Sequence, residues 1–469
     1  MIHFILNDQE VHTDRPAGEV VLDFLRNQER LTGTKESCRE GDCGACMVLL
    51  GSQQEGAMRY QPVTSCLLPL GEVHGKHLVS IEGLNGDALN SIQRALVDRG
   101  AVQCGYCTPG LVVALTAFLL STPTLSLPRA LEAVAGNLCR CTGYAAIKRA
   151  LEALCQRFSV ECLQEADRPL QLVAWGILPD YFRRIPERVR QLPAPATTAH
   201  LPEATAVAGG TDLFVQEPER LVTAPLDFLS GHEALRGIWV TEQRCFIGAA
   251  TTVEEMRASP VLRQWLPTLS EDFRLIGSTP VRGRATLGGN LVNASPTGDL
   301  IVFFLALNPT VALEEQGKQR EVALKDFYLG YKRLAKNEHE LLRWLRFEPP
   351  LNPAGFSFEK VAKRQSLDIA SVNSALYVEI ADGLIQRIGL SAGGVAPIPL
   401  WLGHTAAYLI GKPLAVDHLR AATAIAQEDI SPIGDVRGAA DYKRLLLRQL
   451  IHAHFLKLFP QKIHWEDLR

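Results

Sequence analysis

No run of about 18 uncharged apolar residues occurs in the 469-residue chain; the nearest candidate, 110–120, is far too short to span a bilayer. Charge of one sign is not in excess either. The 48 basic residues against 51 acidic ones leave a net −3, which gives no support to a nucleic-acid binder working through bulk charge. The opening Met1-Ile2-His3-Phe4 has neither a basic start nor a signal-peptide cleavage pattern. Internal repeats and low-complexity tracts are absent. A composition of 47% hydrophobic and 21% charged residues excludes disorder as the main state. The expectation is a soluble, cytoplasmic protein with about three domains' worth of chain and no membrane or nucleic-acid partner.

What is there in quantity is cysteine. The chain has 11, eight of them between positions 38 and 141. An odd total without a signal peptide argues against a disulfide framework, and clustered thiols in a reducing compartment point to metal. The remaining three, Cys155, Cys162 and Cys245, have no partner spacing and read as packing residues.

The pattern along the chain suggests an order of domains. Residues 2–6 and 11–13 read as strands flanking an Asn7-Asp8 turn, followed by helical spacing at Val20, Val21, Phe24 and Leu25, a cysteine-rich loop and a strand at 47–50. Helices are predicted over 89–97, 108–120, 126–135 and 144–158; Pro109 and Pro128 sit in opening turns, where proline is tolerated. The proline-rich stretch 161–194 reads as a linker. Beyond it, strands at 205–208, 238–240 and 244–247 and a helix at 253–258 alternate, and after a break at 349–353 an antiparallel pair, 375–380 and 385–390, turns at Asp382-Gly383.

Cys38-x4-Cys43-x2-Cys46 followed by Cys66 is the plant-type ferredoxin spacing for a [2Fe–2S] cluster. Each iron needs two thiolates, so three ligands come from one loop and the fourth from elsewhere. Gly41 and Gly44 let the loop curl and aim N–H groups at sulfur. Zinc held by four cysteines is the alternative, although zinc sites usually pair two short Cys hairpins. A second set, Cys104-x2-Cys107 with Cys139-x-Cys141, opens helices at Thr108-Pro109-Gly110 and Thr142-Gly143-Tyr144. Helix N-termini favour thiolates there, and zinc again remains the alternative.

Three segments carry a specific resemblance: Cys38-Arg-Glu-Gly-Asp-Cys-Gly-Ala-Cys46, Gln103-Cys-Gly-Tyr-Cys-Thr-Pro-Gly110 and Gly136-Asn-Leu-Cys-Arg-Cys-Thr-Gly-Tyr144. They resemble the iron–sulfur module of the xanthine dehydrogenase family of molybdenum hydroxylases, over residues 1 to about 158. Ala206-Val207-Ala208-Gly209-Gly210-Thr211-Asp212-Leu213, Thr286-Leu287-Gly288-Gly289-Asn290 and Asn293-Ala-Ser295-Pro-Thr-Gly-Asp299 resemble the family's FAD-binding domain. Alone, each glycine turn is a weak signal, and no G-x-G-x-x-G is present, so a Rossmann nucleotide fold is not the reading. Lys363-Arg364 and Asp368-Ile369-Ala370 match the start of the family's C-terminal flavoprotein domain.

The resemblance implies an α+β multidomain fold: a β-grasp [2Fe–2S] ferredoxin-like domain (1–80), a four-helix [2Fe–2S] domain (81–160), the linker (161–194), a two-part α+β FAD-binding domain (195–348) and a C-terminal α+β flavoprotein domain (354–465). It assigns the eight clustered cysteines (Cys38, Cys43, Cys46, Cys66, Cys104, Cys107, Cys139, Cys141) to two clusters. It assigns Val207, Ala208, Gly209, Gly210, Thr211, Asp212, Leu213, Thr286, Leu287, Gly288, Gly289 and Asn290 to the FAD phosphates and ribityl chain. Asp299 falls near the isoalloxazine, with Leu342 and Lys360 as further flavin contacts. Ile276 stands where animal enzymes have a phenylalanine against the ring.

No segment is left over for a molybdopterin site, so the molybdenum cofactor is expected on a large partner subunit, in a hetero-oligomer of twofold-paired heterodimers. The implied activity is electron transfer from that partner through two [2Fe–2S] clusters and FAD to NAD+ during oxidation of hypoxanthine and xanthine to urate, with no catalytic acid–base residue in this chain. The alternatives are the equivalent chain of a hydroxylase acting on an aldehyde, carbon monoxide or an N-heterocycle, and a non-catalytic electron-transfer or assembly protein.

Overall fold

A computed structural model describes residues 1–122, 124–158, 168–193, 200–201, 203–350 and 355–468. Cys162, Pro195 and Pro353 lie outside the described residues. The fold resolves into two compact units, Met1–Gly231 with Ser278–Arg284, and His232–Gly277 with Ala285–Arg469.

The first unit opens with strands β1 (Ile2–Leu6) and β2 (Gln9–Thr13), the hairpin expected at Asn7-Asp8. A strand pair, β3 (Met47–Gln54) and β4 (Ala57–Thr64), and a short β5 (His77–Val79) complete a five-stranded sheet ordered β2-β1-β5-β3-β4. The sequence reading stopped β3 at 50 and missed β4 and β5. β4 contains Pro62, and it can do so because it is an edge strand whose missing N–H costs no ladder bond. Phe4, Leu6, Val48, Leu50 and Leu78 fill one face.

Helices follow at Ser91–Asp98, Thr108–Ser121, Leu127–Ala133 and Ala145–Phe158, close to the predicted four. Gly110 to Leu120 are all buried, as a helix apolar on every side must be. The linker reading is corrected here. Residues Arg168–Ala174 and Ile185–Gln191 are helices, and Leu172, Ile177, Phe182, Ile185 and Val189 pack into the core of the four-helix region. Pro169 and Pro186 each stand second in their helix, so they start helices rather than break them. Strands β6 (Thr205–Val207) and β7 (Leu226–Phe228) pair in parallel at the end of this unit.

The second unit contains β8 (Ile238–Thr241), β9 (Arg244–Gly248), β10 (Thr310–Glu315), β11 (Lys318–Ala323), short strands β12 (Tyr328–Gly330) and β13 (Arg333–Leu334), and β14 (Leu341–Phe347). Five of them form an antiparallel sheet, β11-β10-β14-β9-β8. A four-stranded sheet follows: β15 (Phe356–Val361), β16 (Val372–Ala381), β17 (Leu384–Gly393) and β18 (Leu400–Trp401). The predicted Asp382-Gly383 turn joins β16 to β17, with positive φ of 53° and 78° at its two residues. Helices Val416–Asp429 and Ala440–Leu458 cover this sheet through Leu419, Leu447, Ile451 and Phe455. Cys245 is fully buried among core residues of this unit, a packing position as the sequence suggested. Among the described residues no helix is long and apolar enough to cross a membrane.

Candidate functional site

The β3–β4 hairpin builds the first cysteine centre. Its register pairs Met47 with Thr64, so Cys46, just before β3, lies beside Cys66, in the single turn after β4. Ser65 fixes that approach by donating both its amide and its hydroxyl to the Cys46 carbonyl, at 3.2 and 2.7 Å. The loop preceding Cys46 brings in Cys38 and Cys43, both half-buried. Amides of Glu40 and Asp42 point at the Cys38 sulfur from 3.4 and 3.3 Å, which is how a curled loop stabilises a thiolate. The four thiols fall into two pairs. A shared hydrogen bond draws Cys43 down to about 6 while Cys38 is pushed up; a second lowers Cys46 and raises Cys66.

The helical region builds the second centre. Cys107 caps the helix Thr108–Ser121, and Cys104 and Cys141 approach to 3.6 Å between sulfurs. Burial, then a hydrogen bond with Cys139, pushes Cys107 up to about 12. Cys139 is lowered: burial opposes this, but Thr142, 3.1 Å from its sulfur, and Cys107 outweigh it. Here too the four thiols pair two and two.

This pairing discriminates between the metals left open above. A single tetrahedral zinc at about 2.3 Å from each sulfur draws all four sulfurs to about 3.8 Å of one another. Among the described residues, no three cysteine sulfurs lie within 4.8 Å of each other. Two irons, each taking one thiol pair, fit both sets.

The two loops touch. Leu138, next to Cys139, donates its amide to the Cys43 carbonyl at 3.0 Å, and the Asn137 side chain donates to the Gly44 carbonyl at 3.3 Å. The Tyr106 hydroxyl donates to the Glu36 carbonyl. Gly44 has φ of +68°, and a Cβ there would meet the Gly136 carbonyl oxygen at 2.4 Å. Only glycine allows both the backbone angle and the contact.

Within the same unit, β6 ends at Val207 and the chain turns through Ala208, Gly209 and Gly210 (φ +73°) and then Thr211 and Asp212 into a short helix from Leu213. Val207 and Phe214 share a buried apolar cluster with Cys46, Cys66 and Leu67. Arg284 donates to the Gly209 carbonyl at 3.1 Å and faces Glu72 at 3.6 Å. Burial alone would raise the fully buried Glu72 carboxyl, but Arg284, Lys76 and Ser230 hold it below its usual range. The Arg284 Nη2 is buried and has no hydrogen-bond partner among the described residues, an orphaned donor beside a glycine turn that suits an anionic ligand. Neither Arg284 nor Glu72 stands in a motif, so sequence reasoning missed both.

In the second unit Thr286 caps the helix Leu287–Asn293, its hydroxyl accepting the Gly289 amide at 3.1 Å. Gly288 donates to the Ala249 carbonyl at 2.7 Å, so close that a Cβ would lie 2.8 Å from the Ala249 methyl. The Asn290 Oδ1 is buried without a hydrogen-bond partner among the described residues. Asp299, Lys360 and Ile276, separate in sequence, come together. Lys360 donates to Asp299 at 2.6 Å and to the carbonyl of Leu275, the neighbour of Ile276, at 2.8 Å. Asn373, which sequence reasoning missed, donates to the other Asp299 oxygen at 2.6 Å. Ile276 is buried. Leu342 is buried on β14, in the same apolar cluster as Ile276, Leu287 and Leu291.

Four family models match the chain: a 2Fe-2S iron-sulfur cluster binding domain (4–70), a [2Fe-2S] binding domain (80–152), an FAD binding domain in molybdopterin dehydrogenase (185–347) and a CO dehydrogenase flavoprotein C-terminal domain (357–458). Over most of its length the chain is similar to the molybdenum hydroxylases. It carries two [2Fe–2S]-binding domains and one FAD-binding domain. Among its relatives is xanthine dehydrogenase of Emericella nidulans, 27% identical over 88% of this chain and 35% of that protein. Aldehyde oxidase 1 of Bos taurus is 25% identical over 94% of this chain and 38% of that protein. The chain thus spans under two fifths of the length of both relatives. Among solved structures, the carbon monoxide dehydrogenase from Hydrogenophaga pseudoflava is similar over 56% of this chain and 91% of that chain, at a TM-score of 0.52 and 26% identity.

Proposed function

We propose that this chain is the electron-transfer part of a xanthine dehydrogenase, carrying electrons from molybdenum on a large partner subunit to NAD+ during purine oxidation. Bound, the two clusters supply one-electron steps, and FAD collects single electrons into the pair that NAD+ accepts as hydride. Cys38 with Cys43 and Cys46 with Cys66 would hold the irons of one cluster, and Cys104 with Cys141 and Cys107 with Cys139 those of the other. The Leu138–Cys43 and Asn137–Gly44 hydrogen bonds hold the two cysteine loops at a fixed, short separation; this is the observation that carries the reading.

Each unit carries its own features suited to FAD: the first has the 207–213 turn with the buried Arg284 guanidinium, and the second has the 286–290 helix start and an Asp299 carboxylate held in place by Lys360 and Asn373. We assign domains at 1–80, 81–160, 195–348 and 354–465, with the packed helices Arg168–Ala174 and Ile185–Gln191 in the connection after the second.

A second reading, aldehyde oxidation, is favoured by the comparable match to an aldehyde oxidase. The deciding experiment assays the purified complex with xanthine, hypoxanthine and an aromatic aldehyde, each with NAD+ as acceptor. Purine-dependent NAD+ reduction is expected. Turnover of the aldehyde alone, or none with NAD+, overturns the xanthine dehydrogenase reading.

A further inference from the structure

Outside the cofactor regions, one side-chain cluster has the composition of a metal site. The two-residue loop Asn7-Asp8 sets the β1–β2 register, pairing Leu6 with Gln9 and therefore His3 with His12 and Ile5 with Glu10. Side chains alternate along a strand, so His3, Glu10 and His12 share one face. Their donor atoms converge: His3 Nε2 lies 2.5 Å and His12 Nε2 3.6 Å from the same Glu10 carboxylate oxygen, and all three lie within 4.8 Å of one another. The two imidazole rings lie 3.7 Å apart between centroids, tilted by 32°. The His3 backbone amide donates to His74 Nδ1 at 3.0 Å, which pins that end of β1.

We infer that His3, Glu10 and His12 form a binding site for a divalent transition-metal cation of the zinc type, separate from the two cysteine centres. Two neutral imidazoles and one carboxylate are a borderline donor set suited to Zn²⁺. Tetrahedral coordination at about 2.0–2.2 Å spaces the donors about 3.3–3.5 Å apart. Rotation of the exposed His12 and Glu10 side chains reaches that spacing while half-buried His3 stays in place. Remaining positions on the cation face solvent and take water. The bound ion links the edge strand β2 to β1 across the sheet, tying down a strand whose outer side has no partner. The sequence carries the signal: Glu10-x-His12 on one strand and a histidine opposite, visible once the hairpin register is counted.

The test is equilibrium dialysis of the holo chain, clusters and FAD in place, against Zn²⁺, with zinc and iron measured by elemental analysis. Filled cysteine sites cannot then take the added ion. One zinc per chain is expected, with affinity about tenfold or more weaker in His12→Ala and in Glu10→Gln. Iron content should be the same in all three proteins. Both substituted residues are exposed on the hairpin, so folding is not at stake. Zinc binding that is absent from the parent chain, or equal in parent and variants, overturns the proposal.

Discussion

The amide of Leu138 donates to the carbonyl of Cys43 at 3.0 Å. One partner precedes a cysteine of the helical centre; the other is itself a cysteine of the ferredoxin-like centre. The two cysteine sets, 38 residues apart at their closest in sequence (Cys66 to Cys104), thus meet through main-chain atoms that cannot be lengthened by a side-chain rotamer. Gly44 and Asn137 lock the same junction from either side.

Gly44→Ala should therefore damage both centres at once. The new Cβ meets the Gly136 carbonyl and forces an unfavourable positive φ, at a cost of about 1–3 kcal/mol. Denaturant midpoints and iron per chain check this. Normal stability with a full iron complement would mean that the junction does not constrain the loops.

Lys360→Met should be severe, because it leaves the Asp299 carboxylate largely buried and without its cation. Breaking such a pair costs about 3–5 kcal/mol, and FAD retention should fall with it. Lys360→Met combined with Asp299→Asn removes the stranded charge and should recover most of the stability without restoring flavin content. Denaturation and flavin absorbance read the two effects separately.

Two buried histidines make stability depend on pH. Burial drives His77 and His454 down to about 3, so both are neutral in the fold. His77 is satisfied in that form, with Nε2 donating to the Asn7 carbonyl and Nδ1 facing the Tyr60 hydroxyl at 2.8 Å. An unfolded histidine titrates near 6.5, above the folded value. The stabilisation is thus complete above 6.5 and declines as pH falls toward 3, by about 1 kcal/mol for each histidine between pH 7.5 and 5.5. His454→Gln should flatten part of that slope, measured as denaturant midpoints at the two pH values. An unchanged slope would show that His454 binds protons equally in the folded and unfolded chain.

Much of the cysteine chemistry was legible because ligand spacing is local: Cys38, Cys43 and Cys46 stand in one loop and the C-x-C pair in another. Hairpins announced by Asn7-Asp8 and Asp382-Gly383 were equally local and formed as expected. The helices at 168–174 and 185–191 were missed because their prolines read as breaks, while the apolar residues that bury them span only two turns each. Arg284 and Glu72 lie more than 200 positions apart in sequence, and only the fold brings their charges together.

The central claim is that two [2Fe–2S] clusters sit against each other through the Leu138–Cys43 contact. Low-temperature electron paramagnetic resonance of the fully reduced chain tests it most directly, because magnetic coupling between two spins falls with the cube of their separation. Two distinct signals are expected, each broadened by the other, with Cys43→Ser and Cys139→Ser each removing one and sharpening the survivor. A single signal, or two signals unaffected by each other's loss, would contradict the account.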